Sequence, residues 1–226
     1  MSEDNAAELY RRHRPKTLDE VVGQPEAVAM LRGWLDKGTV PHALLISGGS
    51  GCGKTTIARI LKTELGCSDH DFCEINAADT RGIDTVREIR SRMVLSPIGG
   101  TCRIFLLDEC HQLSRRKSAG DAQTALLHML ENTPRHVYFV LCTTDPDELL
   151  RTIRTRCAQI QMKLLGRKDM CGLLARVIEK ELDSKDYPND EVLEKITEVA
   201  EGSARKALVL LHQVIWLDSH DAQMEL

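Results

Sequence analysis

Five short apolar runs punctuate the first 162 residues: HALLIS (42–47), DFCEIN (71–76), CRIFLLD (102–108), HVYFVLCTT (136–144) and AQIQM (158–162). Apolar runs of this length predict strands buried on both faces of a parallel sheet. Between them apolar residues recur with helical spacing in PEAVAMLRGWLDKG (25–38), KTTIARILKTEL (54–65), DTVREIRSRMVL (84–95) and DAQTALLHMLEN (121–132). Pro25 falls in the first turn of the first of these and Gly38 at its end, the usual asymmetry of a helix. Strand–helix alternation predicts an α/β fold in which crossover helices flank a parallel five-stranded sheet. Beyond LLGRKD only helical periodicity remains, in residues 167–182, 189–202 and 203–217. Pro188-Asn189 and Gly202-Ser203 separate the three helices. The expected organisation is an α/β domain over residues 1–162 and a small three-helix domain over residues 163–226.

Composition narrows the class. The 226 residues are 42% hydrophobic and 28% charged, ordinary proportions for a globular chain with a sizeable core. No apolar run approaches the ~20 residues of a membrane span. The start, MSEDNAAELYRRHRPK, runs acidic then basic without an apolar centre, so a secretory signal is not expected. Eight cysteines lie mostly inside apolar runs and read as reduced core thiols of an intracellular protein. The net charge is −4, and residues 163–226 hold 9 basic against 13 acidic side chains, leaving 21 of each in residues 1–162. Nucleic-acid contact would therefore rest on local basic patches rather than a global field.

The densest chemistry follows the first strand. Gly48-Gly49-Ser50-Gly51-Cys52-Gly53-Lys54-Thr55 matches GxxxxGK[ST] between a buried strand and a helix. Such glycines let backbone N–H groups curl round phosphate, Lys54 supplies charge to the outer phosphates, and Thr55 offers a hydroxyl to Mg²⁺. The apolar run Ile104–Leu107 then ends at Asp108-Glu109, two carboxylates at the sheet edge where ligands of open α/β sheets bind. Asp108 is placed to hold the metal through water, and Glu109 to orient or deprotonate the attacking water. Thr143 and Thr144 end the fourth run, where their hydroxyls face either the γ-phosphate or a strand-end turn. Arg151, Arg154 and Arg156 precede the last strand, and periodicity leaves open whether they face a neighbour's nucleotide or solvent.

Taken with LYRRHRPKTLDEVVGQ, EINAADTRGIDTVREI, ALLHMLENTPRHVYFVLCTTDP, TIRTRC and GSARKAL, these motifs resemble the AAA+ clamp-loader ATPases. That family includes the gamma/tau subunit of bacterial DNA polymerase III and the small subunits of replication factor C. The matching stretches come in family order over about residues 9–211. The resemblance implies an AAA+ P-loop NTPase domain followed by a three-helix lid, and an ATP hydrolase that loads a ring-shaped sliding clamp on primer–template DNA. ATP and Mg²⁺ are the implied ligands, with Gly48 to Thr56 around the phosphates and Thr55 and Asp108 at the metal. It places Tyr10, Arg14, Pro15, Val22 and Gln24 at the adenosine end, Thr144 as sensor 1, and Arg205 as sensor 2. Arg156 becomes an arginine finger acting on ATP held by an adjacent subunit, so neighbouring AAA+ subunits, in a pentamer, are expected partners. Thr155 stands where the family has Ser, and His13 where it has Tyr.

DNA contacts are implied at Arg81, Arg87 and Arg90, with Arg115, Arg116 and Lys117 as a second patch; a solvated charged face is the alternative for each. Phosphate contacts of this type fix position without reading sequence. Met93 to Ile98 occupies the stretch where loaders touch the clamp. Cys67, His70 and Cys73 fall where gamma/tau carries a four-cysteine zinc module, but three ligands in a short loop fall short of the four a structural zinc takes, so zinc is not expected. The family continues past the lid into a helical collar, and this sequence is expected to lack it. The resemblance also implies the cytoplasm of a bacterial or phage-infected cell, or a nucleus if eukaryotic. Two other readings compete: an ATP-dependent assembly switch with negligible turnover, and another AAA+ replication remodeller such as a helicase loader.

Overall fold

The computed structural model describes residues 9–78, 83–114, 119–181 and 188–215. All five expected strands form: β1 (Ala43–Ser47), β2 (Phe72–Asn76), β3 (Arg103–Asp108), β4 (Val137–Thr143) and β5 (Ala158–Gln161). They pair in parallel in the order β2-β3-β4-β1-β5. The helices are α1 (Pro25–Asp36), α2 (Lys54–Glu64), α3 (Ile83–Met93), α4 (Ala119–Glu131), α5 (Arg151–Arg154), α6 (Arg167–Glu181), α7 (Asp190–Val199) and α8 (Ala204–Val214). The short α5 and the 3₁₀ turns Leu18–Glu20, Cys110–Ser114 and Pro146–Glu148 carry no periodic signal of their own and were not expected. No described helix is long and apolar enough to cross a membrane.

Two compact units form. One comprises Glu26–Gly48 and Lys54–Met162. Its core is built on fully buried Leu45, Phe105, Phe139 and Leu141 of the central strands, with Val86 and Ile89 of α3 and Leu126 of α4. The Phe105 and Phe139 rings stack with centroids 5.5 Å apart. Strands buried on both faces need near-continuous apolar runs, which is why β3 and β4 stand out in the sequence. Register aligns the carboxyl ends of the strands: Ser47 pairs with Thr143, and Asn76 with Asp108. That edge gathers the polar residues that end four apolar runs.

The other unit comprises the described residues up to Pro25, Gly49–Gly53, and the described residues from Lys163 on. Met170, Leu174, Val177, Ile196, Leu208 and Leu211 of α6, α7 and α8 form its core, together with fully buried Leu9. The sequence reading assigned residues 9–25 and the glycine loop to the first domain; by packing they group with the helices. Local capping sets the helix starts. The Asn189 side chain accepts from Glu191 N, and the Ser203 hydroxyl from Lys206 N. All eight cysteines are free thiols and seven are buried; Cys171 is exposed.

Candidate active site

In the sheet unit, Lys54 opens α2 and its ammonium donates to the Gly48 carbonyl at 2.8 Å. One residue on, the Thr55 hydroxyl donates to Asp108 Oδ2 at 2.8 Å, joining the start of α2 to the end of β3. A hydroxyl and a carboxylate held together at a sheet edge are the donor set that suits a hard divalent cation. The sequence placed these two residues at a shared metal, and the structure brings them together.

Glu109 has φ 48°, the left-handed region. For a residue with a side chain that conformation costs about 1–3 kcal/mol and marks a site where geometry is imposed from outside. Here the chain must leave β3 and enter the 3₁₀ turn Cys110–Ser114 within one residue. The Glu109 N–H donates to Asp108 Oδ1 at 3.0 Å, and its carbonyl accepts from Gln112 N at 2.8 Å. The result turns the carboxylate toward the end of β4, where the Thr144 hydroxyl donates to Glu109 Oε2 at 3.2 Å. Thr143, by contrast, is fully buried, and its hydroxyl accepts from Asp145 N and meets His111 Nδ1, each at 3.0 Å. The pair left open by the sequence is thus divided: Thr144 meets Glu109, while Thr143 holds the strand end.

Sequence reasoning missed His111. It is buried, its Nδ1 lies 3.4 Å from Glu109 Oε2, and its Nε2 lies 2.8 Å from Gln112 Nε2. Its place within Asp-Glu-Cys-His was readable; the 3₁₀ turn that folds it back under Glu109 was not.

Arg156 follows α5 and is half-exposed. Among the described residues its guanidinium bonds the Thr152 carbonyl at 3.0 Å and pairs with Glu131 at 2.6 Å. Arg154 pairs with Asp147 at 2.6 Å, and Arg151 is exposed.

In the helical unit Gly51 of the phosphate loop lies against the start of α8. Gly51 has φ +75°, and a Cβ there would fall 2.2 Å from Ser203 Oγ and 3.0 Å from Arg205 Cβ. Both the backbone and the space therefore require glycine. Gly51→Ala is expected to destabilise by about 1–2 kcal/mol from the left-handed backbone alone, with a further loss as the Ser203 cap is displaced. Chemical denaturation measures it, and an unchanged midpoint would refute the close packing. The Arg205 guanidinium sits 5.6 Å from the Tyr10 ring centroid. A hydrogen bond from Arg11 lowers the Tyr10 pKa, outweighing burial and helped by the charges of Arg11, Arg205 and Arg14. Buried Gln24 bonds both the carbonyl and the N–H of Lys163, at 2.6 and 3.0 Å. Val22 is half-buried beside it in sequence. Arg14 and Pro15 line a cleft of about 200 Å³ with Arg12, Lys16, Leu173 and Arg176. His13 pairs with Glu181 at 2.5 Å.

Cys67, His70 and Cys73 do not converge. Cys73 packs in the sheet core, and the Cys67 thiol donates to the Ser68 carbonyl at 3.6 Å. Burial, with Cys102 nearby, pushes the Cys67 thiol up to about 12, the opposite of what a metal ligand needs. Among the described residues no three His, Cys, Asp or Glu side chains are grouped to hold a metal. Arg87 and Arg90 are exposed on α3, Arg87 beside Asp84 at 3.1 Å. Arg81, Arg115, Arg116 and Lys117 lie outside the described residues. Val94, Leu95 and Ile98 are exposed apolar side chains at 69, 57 and 80%.

The AAA family, "ATPase family associated with various cellular activities", matches residues 44–164. Similar curated proteins are DNA polymerase III subunits. The gamma/tau subunit of Mycobacterium tuberculosis is 36% identical over 92% of this chain and 38% of its own length. The tau subunit of Escherichia coli is 34% identical over 92% of this chain and 34% of its own. The gamma subunit of Buchnera aphidicola from Schizaphis graminum is 31% identical over 96% of this chain and 63% of its own. The chain thus spans less than two thirds of the length of these relatives. Among solved structures, the RuvB Holliday junction branch migration motor of Thermotoga maritima superposes with a TM-score of 0.71 at 21% identity, covering 94% of this chain and 71% of that one. Its likeness is one of fold. With that family's domain over more than half of its length, this chain belongs to the AAA ATPases.

Proposed function

We propose that this ATPase is a subunit of a sliding-clamp loader, spending ATP binding and hydrolysis to place a ring clamp on primer–template DNA during replication in the cytoplasm. The observation that carries this reading is similarity to DNA polymerase III gamma and tau subunits across more than nine tenths of the chain. The Thr55–Asp108 and Thr144–Glu109 contacts support an intact ATP site.

Residue roles follow. The backbone from Gly48 to Gly53, with Lys54 and Thr56, holds the phosphates, and Arg205 reads the γ-phosphate. Tyr10, Arg14, Pro15, Val22 and Gln24 take the adenosine end. Thr55 and Asp108 would hold Mg²⁺, which supplies charge neutralisation on the β- and γ-phosphates when bound. Glu109 accepts a proton from the attacking water, and Thr144 fixes the carboxylate that does so. Arg156 neutralises developing charge on ATP in an adjacent subunit, which makes the oligomer part of the site. Arg87 and Arg90 lie against DNA phosphates, as does Arg81. The exposed edge of Val94, Leu95 and Ile98 offers the clamp an apolar contact.

The test is ATP hydrolysis per subunit across protein concentration, with and without primer–template DNA. A rate rising steeply with both supports a self-assembling, DNA-triggered motor; a flat, near-zero rate with ATP still bound points to an assembly switch. Arg156→Ala is expected to bind ATP normally and lose on the order of 10³-fold in assembly-dependent hydrolysis. Full retained activity would refute the finger acting in trans.

A further inference from the structure

We infer that His111 is a positioning residue that holds the Glu109 carboxylate, and that it acts through Glu109 rather than on ATP. The inference rests on the reading of Glu109 as the residue that activates water.

The geometry runs from strand to carboxylate. With Nε2 accepting from the Gln112 amide, the neutral ring carries its hydrogen on Nδ1. That nitrogen bonds Thr143 Oγ1 at 3.0 Å and lies 3.4 Å from Glu109 Oε2. The same Oε2 accepts from the Thr144 hydroxyl at 3.2 Å. Among the described residues both contacts fall on one carboxylate oxygen, which assigns the proton to Oε1. A buried imidazole costs free energy unless its nitrogens are bonded, and here each nitrogen has a partner tied to the site. One 3₁₀ turn thus links three things: the strained backbone of Glu109, the buried end of β4, and the threonine whose hydroxyl meets the carboxylate.

His111 therefore carries the position of β4 to Glu109. A shift of Thr143 and Thr144 moves two donors to the same oxygen at once. Filling the volume alone would need only an apolar side chain; orienting Oε2 needs the Nδ1–H.

The experiment measures steady-state hydrolysis and equilibrium ATP binding on the full chain, under the conditions of maximal turnover. His111→Leu is expected to lower kcat by about 10–100-fold, the usual loss when a reacting group is misplaced by about an ångström. Its KM for ATP, ATP affinity and melting temperature stay near wild type. His111→Asn, which returns an N–H donor near the Nδ1 position, recovers most of kcat. Gln112→Leu keeps the imidazole but removes the donor to Nε2, and is expected to lower kcat severalfold; it serves where His111→Leu does not fold. In a Glu109→Gln background, His111→Leu has no further effect. Wild-type kcat in both His111→Leu and Gln112→Leu overturns the inference. So does an equal loss in His111→Asn and His111→Leu, or a full additional loss in the Glu109→Gln background. Wild-type turnover in Glu109→Gln alone overturns the Glu109 reading and, with it, this one.

Discussion

Glu109→Gln is expected to bind ATP as wild type does and to hydrolyse it about 10²–10⁴-fold more slowly, the range attributed to a positioned general base. The amide keeps the size of the side chain and can still accept from Thr144, so the site stays assembled while the proton acceptor is lost. ATP should therefore accumulate on the protein rather than turn over. Lys54→Ala gives the opposite pattern. Its ammonium donates to the Gly48 carbonyl, and without that charge ATP binding itself should fail. Fluorescent-nucleotide binding alongside single-turnover hydrolysis separates the two. Equal turnover in Glu109→Gln and wild type would remove Glu109 from its role, and undiminished ATP affinity in Lys54→Ala would remove Lys54 from its own.

The second large effect is on stability. Arg103, at the start of β3, pairs with fully buried Asp71 at 2.9 Å and donates to the Arg92, Leu95 and Ser96 carbonyls. Asp71 also accepts from the Ser68 hydroxyl and from the N–H groups of Ile98 and Gly99. Three segments meet at this pair: the loop before β2, the stretch after α3, and the entry to β3. Breaking a buried ion pair by removing one partner costs about 3–5 kcal/mol, because the other charge stays buried and uncompensated. Arg103→Met is expected to lose that much, a fall in Tm on the order of 10 °C for a chain of this size. Urea unfolding checks it, and a loss under about 1 kcal/mol would show a solvent-screened pair.

Acid should probe the same cluster. Burial alone would raise the Asp71 pKa, but the Gly99 N–H, the Ser68 hydroxyl, the Ile98 N–H and the Arg103 guanidinium outweigh it and hold the carboxyl well below its ordinary range. A carboxyl depressed in the folded state adds stability above its unfolded pKa of about 4, and that contribution drains away as pH falls further. Asp71→Asn should flatten the decline in stability below about pH 4. A decline as steep as wild type's would assign it to other carboxylates.

Much of this was legible because it is local. A strand buried on both faces needs an unbroken apolar run, so β1, β3 and β4 were readable to within a residue. A phosphate loop needs glycines and a lysine at fixed spacing, so Gly48 to Thr55 were readable as chemistry. Asp108 and Glu109 were readable because they end an apolar run. Charged residues at the entry to such runs carry a further signal: Asp71 and Arg103 stand where β2 and β3 begin, which a buried pair explains.

What the amino-acid sequence determined by itself was therefore the list of elements, the phosphate loop, the acidic pair and the helical segment, since periodicity and short motifs are properties of neighbours in the chain. Only the tertiary structure decided which threonine meets Glu109, that His111 lies beneath it, that Leu9 belongs to the core of the helices, and that Asp71 closes on Arg103. The threonine, His111 and Asp71 contacts depend on strand order, register or a left-handed residue, and that of Leu9 on how the helices pack. The order β2-β3-β4-β1-β5 places the end of β4 beside both β3 and β1. The φ of Glu109 turns its carboxylate toward that strand end. Neither quantity is written in the spacing of apolar and polar residues, because each is settled only when the sheet is paired and the core is packed.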